Sequence, residues 1–282
     1  MTSQVDASPP GCFACHSPHS NGDFALRSVS PVTQLSPLSG VTNPIFDYGK
    51  GNQCVACHQP RSLSPQMPNT APASTDTLRI TNSRWYAHYG VQGLMLMGEG
   101  GYKFPGYTYT GNSPHAASTL LKQEGCIACH MAPSNAGSGI GGGHTMNVNY
   151  LNTSGNPTWN TNGCLVSGCH SSMASVDDYV STSASLTGGM GAHKYVHQYL
   201  DTLKNLLVSN LLLHPTSGLV MGGNGTSTAS SSNPKIFVGS QILKAGALYN
   251  YFFLEHDLGG GAHNSKYAIE LLQSSIEEMK KP

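Results

Sequence analysis

With 282 residues, 14 basic against 14 acidic side chains and zero net charge, the chain carries no electrostatic footprint for nucleic acid or an anionic membrane surface. Charged residues make up 10% of it, against about 25% in ordinary soluble domains, and 33 glycines with 17 prolines cut it into short stretches. Such a chain is mostly turn and loop, its 38% of hydrophobic residues are too scattered to build a large core unaided, and no apolar run approaches the roughly 20 residues that span a bilayer.

In chain order, the opening MTSQVDASPP lacks the basic and apolar regions of a secretory signal, so any such signal is expected to have been removed or replaced. All eight cysteines then fall into four pairs, each followed by histidine: Cys12-Phe-Ala-Cys15-His16, Cys54-Val-Ala-Cys57-His58, Cys126-Ile-Ala-Cys129-His130 and Cys164-Leu-Val-Ser-Gly-Cys169-His170. Residues 1–60 hold the first two motifs, 61–82 read as a Pro/Ser/Thr-rich connector, and 83–175 hold the second two. Ligands are expected to cross between these halves, so 1–175 reads as one region. From 176 to 282 the cysteines stop and helical signals begin.

Val196, Leu200, Leu203, Leu207 and Leu211 form one apolar stripe at helical spacing, ended by Pro215 and Gly218. A Gly/Ser/Thr-rich loop fills 218–233. A second helix is expected from about Ser240 through Leu243, Leu248 and Phe252 to Gly259. The third is capped by Asn264 or Ser265 and presents Ile269, Leu272, Ile276 and Met279. These stripes are read as helices packing on one another rather than on a cofactor.

The four motifs set the chemistry. Cysteines three apart lie on one side of a helical turn, where both sulfurs reach the two vinyl groups on one edge of a haem, and the next residue aims its imidazole at the iron. The fourth motif has two extra residues, which must bulge; Ser167 and Gly168 suit that. Disulfides or zinc sites also use paired cysteines, but neither needs a histidine after the second one. With 13 histidines in 282 positions, four such placements by chance have a probability of roughly five in a million. The expected cofactors are therefore four covalently bound c-type haems, with Cys12, Cys15, Cys54, Cys57, Cys126, Cys129, Cys164 and Cys169 as attachment sites and His16, His58, His130 and His170 as proximal ligands. Each macrocycle buries apolar area at roughly 25 cal/mol per Å², the apolar mass that the side chains lack. Because such haems are attached outside the cytoplasmic membrane, the protein is expected to be exported.

Nine histidines remain: His19, His88, His115, His144, His193, His197, His214, His256 and His263. Four suffice to make every iron bis-histidine. Two strong-field nitrogens leave no position for a substrate, which favours electron transfer over catalysis. A reductase reading requires a displaceable axial ligand, and here histidines exceed the requirement while no CxxCK motif appears. His193 and His197, four apart, could hold a metal by geometry, but a solvent-facing helix accounts for them more simply. His214, before Pro215, reads as that helix's end.

The segment from Cys12 to Ser20, with Cys15-His16-Ser-Pro-His19, resembles the CxxCHxPH opening of the paired-CXXCH multihaem cytochromes. The features His88-Tyr-Gly-Val-Gln92, Leu96-Met-Gly98, Gly100-Gly-Tyr-Lys-Phe-Pro-Gly106, Ser113-Pro-His115, Cys129-His130-Met131 and Gly142-Gly-His144-Thr resemble a module of metal-reducing bacteria. The C-terminal Asp257-Leu-Gly-Gly-Gly-Ala-His263-Asn264 is similar to segments of the same group. Together these cover most of the chain. It resembles the extracellular multihaem c-type cytochromes, in particular the tetrahaem, OmcE-like cytochrome filaments.

That resemblance implies a loop-rich multihaem cytochrome fold around a haem stack, with a small C-terminal α-helical region. It implies His19, His88, His115 and His144 as distal ligands, with His263 the main competitor. Glycines beside His144 and two residues after His88 are expected to admit a haem face. In related six-haem filaments, the second histidine of an N-terminal CxxCHxxH motif ligates iron in the next subunit, the role expected of His19. The implied function is long-range extracellular electron transfer by a homopolymer joined through an inter-subunit His–haem bond. A soluble periplasmic or cell-surface shuttle is the alternative. The other implied partners are redox proteins or extracellular electron acceptors, with no nucleic acid and no membrane span.

Overall fold

The computed structural model describes residues 11–17, 25–35, 42–60, 68–87, 89–111, 113–135, 139–177 and 191–282. His19 and His88 lie outside them.

Up to residue 177 the described elements are short. They comprise α1 (Cys12–Cys15), β1 (Val32–Thr33), β2 (Ile45–Phe46), α2 (Asn52–Val55), β3 (Thr77–Ile80), α3 (Gln92–Met97), α4 (Pro114–Ala117), α5 (Thr119–Glu124), α6 (Ile127–His130), β4 (Asn149–Leu151) and β5 (Pro157–Trp159). Beyond residue 190 come α7 (Ala192–Ser209), β6 (Lys235–Val238), α8 (Ile242–Asp257) and α9 (Ser265–Lys280). Regular structure is therefore concentrated at the C-terminal end, and among the described residues the strands form only two-stranded antiparallel pairs.

The three long helices pack on each other, as their stripes imply. Val196, Leu200, Leu203 and Leu207 of α7, Leu248 and Phe252 of α8, and Ile269, Leu272, Ile276 and Met279 of α9 share one buried cluster. That cluster also contains Trp85, Leu94, Met95, Tyr102 and Phe104, so the segment after the connector is built into the helical core. Polar groups lock the junction. The Tyr102 backbone N–H donates to buried Asn250 at 2.7 Å, and the Asn250 amide donates back to the Tyr102 carbonyl at 2.9 Å. In the connector, β3 pairs with β6, placing Thr77 opposite Val238 and Ile80 opposite Lys235.

The α7 stripe ends earlier than its spacing suggests. The helix stops at Ser209, Leu211 takes a φ of 54° and is exposed, and Leu212 and Leu213 turn into the core instead. Helix α8 is buried on nearly every side, with Leu243 among its less buried residues. Asn264 is the cap of α9, its side chain accepting from the Tyr267 N–H at 3.1 Å.

Two of the cysteine motifs are held together by glycine. Gly51 precedes α2, Gly125 precedes α6, and a Cβ on Gly125 would stand 2.5 Å from the Gly51 Cα. Gly125 also has φ 58° and ψ −136°, a conformation reserved for glycine. Gly125→Ala is thus expected to cost about 2 kcal/mol or more, lowering the thermal midpoint by roughly 4–8 °C. A midpoint within a degree of wild type would show that the two backbones separate without cost.

Candidate haem-binding site

The same closure builds all four motifs. The histidine N–H donates to the carbonyl of the first cysteine: His16 to Cys12 at 2.9 Å, His58 to Cys54 at 2.9 Å, His130 to Cys126 at 3.0 Å and His170 to Cys164 at 3.0 Å. In the first three this is an ordinary helical bond. In the fourth it spans two more residues, and Gly168, at φ 84°, turns the excess chain outward. The bulge leaves the ends of the long motif placed like those of the short ones.

The motifs follow one another in space as in sequence. The Gln53 side chain donates to the Ala14 carbonyl at 3.5 Å and accepts from the Ser28 N–H at 3.0 Å, linking the first motif to the second. Cys54 and Cys126 hydrogen-bond through their side chains, which draws the Cys54 thiol down to about 7 and pushes Cys126 up. Burial raises Cys129 to about 11, with Cys164 and Cys169 close enough to add to the shift.

Three pairs of imidazoles face each other. His16 and His144 have ring centres 6.1 Å apart, His115 and His170 6.0 Å, and His130 and His263 6.3 Å. Two imidazoles trans on one metal, with bonds of about 2.0–2.1 Å, have centres about 6.2–6.4 Å apart. Each pair joins a proximal histidine to one from a distant part of the chain. Their interplanar angles of 50°, 90° and 18° are compatible with rotation about the metal–nitrogen axis.

Hydrogen bonds fix the orientation of several rings. His115 Nδ1 bonds the Ala262 carbonyl at 2.9 Å, and His130 Nδ1 bonds the Met146 carbonyl at 3.0 Å. His263 Nδ1 bonds the buried Asp257 carboxylate at 2.8 Å. A proton held on Nδ1 leaves Nε2 as the metal-binding lone pair and fixes the ring's orientation. Burial holds His115 and His130 below the ordinary histidine range. For His263, burial opposes the charged form, but the charge and hydrogen bond of Asp257 override it and the net shift is upward. This donor set, with exposed apolar side chains such as Phe13, Ile140, Met146, Leu165 and Val166 in and around the motif segments, fits covalently attached haem.

Among the expected distal residues, the structure therefore brings His144 and His115 opposite proximal histidines. It does the same for the competitor His263. His58 belongs to none of the three pairs, although His130 feels its charge. His256 is buried against Tyr86 and Tyr89, with Nδ1 on the Ala87 carbonyl at 2.8 Å.

Of the glycines near His144 and His88, Gly143, directly beside His144, faces open space, with nothing within 4 Å of a Cβ placed on it. A Cβ on Gly142 would stand 1.9 Å from the Ala132 carbonyl oxygen, and one on Gly90 would stand 2.7 Å from the Gln59 carbonyl oxygen, so these two admit protein backbone.

No protein-family model matches the chain, and no solved structure matches it. It is 26% identical over 294 residues to the C-type polyheme cytochrome OmcC of Geobacter sulfurreducens (strain ATCC 51573 / DSM 12127 / PCA), an alignment covering 94% of this chain and 36% of that protein. It is 25% identical over 297 residues to the C-type polyheme cytochrome OmcB of Geobacter sulfurreducens (strain DL-1 / KN400), covering 94% and 37%. The chain spans little more than a third of the length of these relatives. With its four cysteine–histidine motifs and facing imidazole pairs, the chain is thus similar along nearly its whole length to polyhaem c-type cytochromes of Geobacter.

Proposed function

We propose that this chain carries electrons over long distances outside the cell through four covalently bound c-type haems, each iron held by two histidines, as a subunit of a polymeric filament. The observation that carries the reading is the spacing of the imidazole pairs, 6.0–6.3 Å between ring centres. The haems supply reversible one-electron chemistry, and the chain's residues hold them, fix their order and exclude small ligands from the irons.

In this reading His144 serves the iron of His16, His115 that of His170, and His263 that of His130. His263 thus replaces one member of the distal set expected from the sequence. The iron of His58 takes its second imidazole from His19 of a neighbouring subunit, and that bond propagates the polymer. A soluble shuttle is the second reading. The packing of Gly90 on Gln59 favours it, because it sets Gly90, two residues after His88 in sequence, against the backbone next to His58. Among the described residues no helix is long and apolar enough to cross a membrane. Negative-stain microscopy of the concentrated haem-loaded protein tests the choice: filaments are expected, and monodisperse particles at every concentration favour the shuttle.

Asp257 is expected to tune one haem. His115 and His130 donate to neutral carbonyls, whereas His263 donates to a carboxylate, which pushes electron density toward its iron and favours the ferric state. Asp257→Asn should raise one midpoint potential by an amount on the order of tens of millivolts, leaving all irons low-spin. An unchanged set of potentials would show that the carboxylate only positions the ring.

A further inference from the structure

We propose that His193 and His197 form a binding site for a divalent transition-metal ion, distinct from the haem irons. The two residues lie one turn apart on α7, and their Nε2 atoms converge to 3.3 Å. Two imidazole nitrogens bound to one tetrahedral metal at about 2.0–2.1 Å stand about 3.3–3.4 Å apart, so the rings already hold the bite of a chelate. His193 Nδ1 is bonded to Asp177 Oδ1 at 2.8 Å, the carboxylate–histidine arrangement that keeps the proton on Nδ1 and turns the Nε2 lone pair toward a metal.

A second observation concerns the surroundings of those nitrogens. A Cβ on Gly260 would lie 2.4 Å from both Cδ2 and Nε2 of His193 and 3.0 Å from His197 Nε2, so the Gly260 backbone packs against the two rings and holds them in place. Glycine, at φ 52°, lets the loop approach them this closely. The rings border an open hollow of about 460 Å³ whose lining includes Asp177, Asp201 and Lys194. Two carboxylates against one ammonium make the charged lining net negative, which favours a cation.

Among the described residues no group of three or more His, Cys, Asp or Glu side chains stands together as a metal site. Water therefore completes the coordination, and the site is an open two-histidine chelate. Imidazole pairs select copper, nickel and zinc over the hard cations magnesium and calcium. Because water fills the remaining positions, the ion stays accessible from the hollow.

Calorimetric titration of the haem-loaded protein with Zn²⁺, which is redox-silent beside haem, tests the site. One Zn²⁺ per chain is expected, with Mg²⁺ giving no heat. His197→Ala, at an exposed position, should weaken Zn²⁺ at least tenfold and leave the ferric haem spectrum unchanged. His214→Ala should leave binding as in wild type. Three outcomes overturn the proposal. Failure of the wild type to bind Zn²⁺ reduces the 3.3 Å contact to a hydrogen bond between two histidines. Undiminished binding in His197→Ala moves the metal elsewhere. A new high-spin signal in that variant makes the residue a haem ligand.

Discussion

His263→Ala is expected to leave every haem attached while converting one iron in four to a high-spin centre that binds carbon monoxide or cyanide. The thioether bonds and the proximal His130 are untouched, so the haem stays in place. What is lost is the imidazole standing 6.3 Å, centre to centre, from that of His130. No carbonyl or side chain in the glycine-rich stretch Gly259 to Ala262 supplies a strong-field nitrogen in its place. The visible spectrum of the ferric variant, followed by carbon monoxide addition after reduction, reads the change directly. His115→Ala and His144→Ala should each behave in the same way at a different iron. A wholly low-spin spectrum in the His263 variant would show that a different residue closes the iron of His130.

His19→Ala carries the second large effect. If the iron of His58 is completed from a neighbouring subunit, this variant keeps four haems, gains one high-spin iron per chain and forms no polymer. With His19 only three positions after His16 in sequence, the proposed role assigns it to an iron other than the one His16 would hold. A contact in which each subunit donates one ligand and accepts one is heterologous, and without rotational closure it propagates as a filament. The iron–imidazole bond is directional and would set the register between subunits. His88→Ala is the matched experiment, expected to leave filaments and spin state alone. If His88→Ala instead opens the iron and His19→Ala changes nothing, all four irons are closed within one chain and any polymer is held by other contacts.

The sequence disclosed the chemistry far better than the pairing. The four cysteine–histidine motifs are local, so their residue types and spacing expose them, including the bulge that Gly168 supplies. The helical stripes were legible for the same reason, and so was the Asn264 cap. Which histidines stand opposite one another is a long-range fact. His263 reaches His130 from a loop that also gives the Ala262 carbonyl to His115. The local signal for His263 was its run of glycines, which also stands beside other histidines. What separates it is Asp257, six residues earlier, and only the fold places that carboxylate on Nδ1. Gly90, two residues after His88, serves a backbone contact with Gln59, which its position in the sequence does not disclose, while Gly143 beside His144 faces open space. The end of α7 was misjudged because Leu211 keeps the helical spacing after the chain has turned out of the helix.

Intact mass of the mature protein under denaturing conditions tests the central claim most directly. Four covalently attached haems per polypeptide are expected, surviving acid–acetone extraction, and Cys169→Ala should remove one haem only, because the bulged motif closes on the carbonyl of its first cysteine, Cys164, as each of the others closes on its own. A mass corresponding to three haems in wild type, or four in the Cys169 variant, would contradict the assignment of the long motif. A mass with none would contradict the account as a whole.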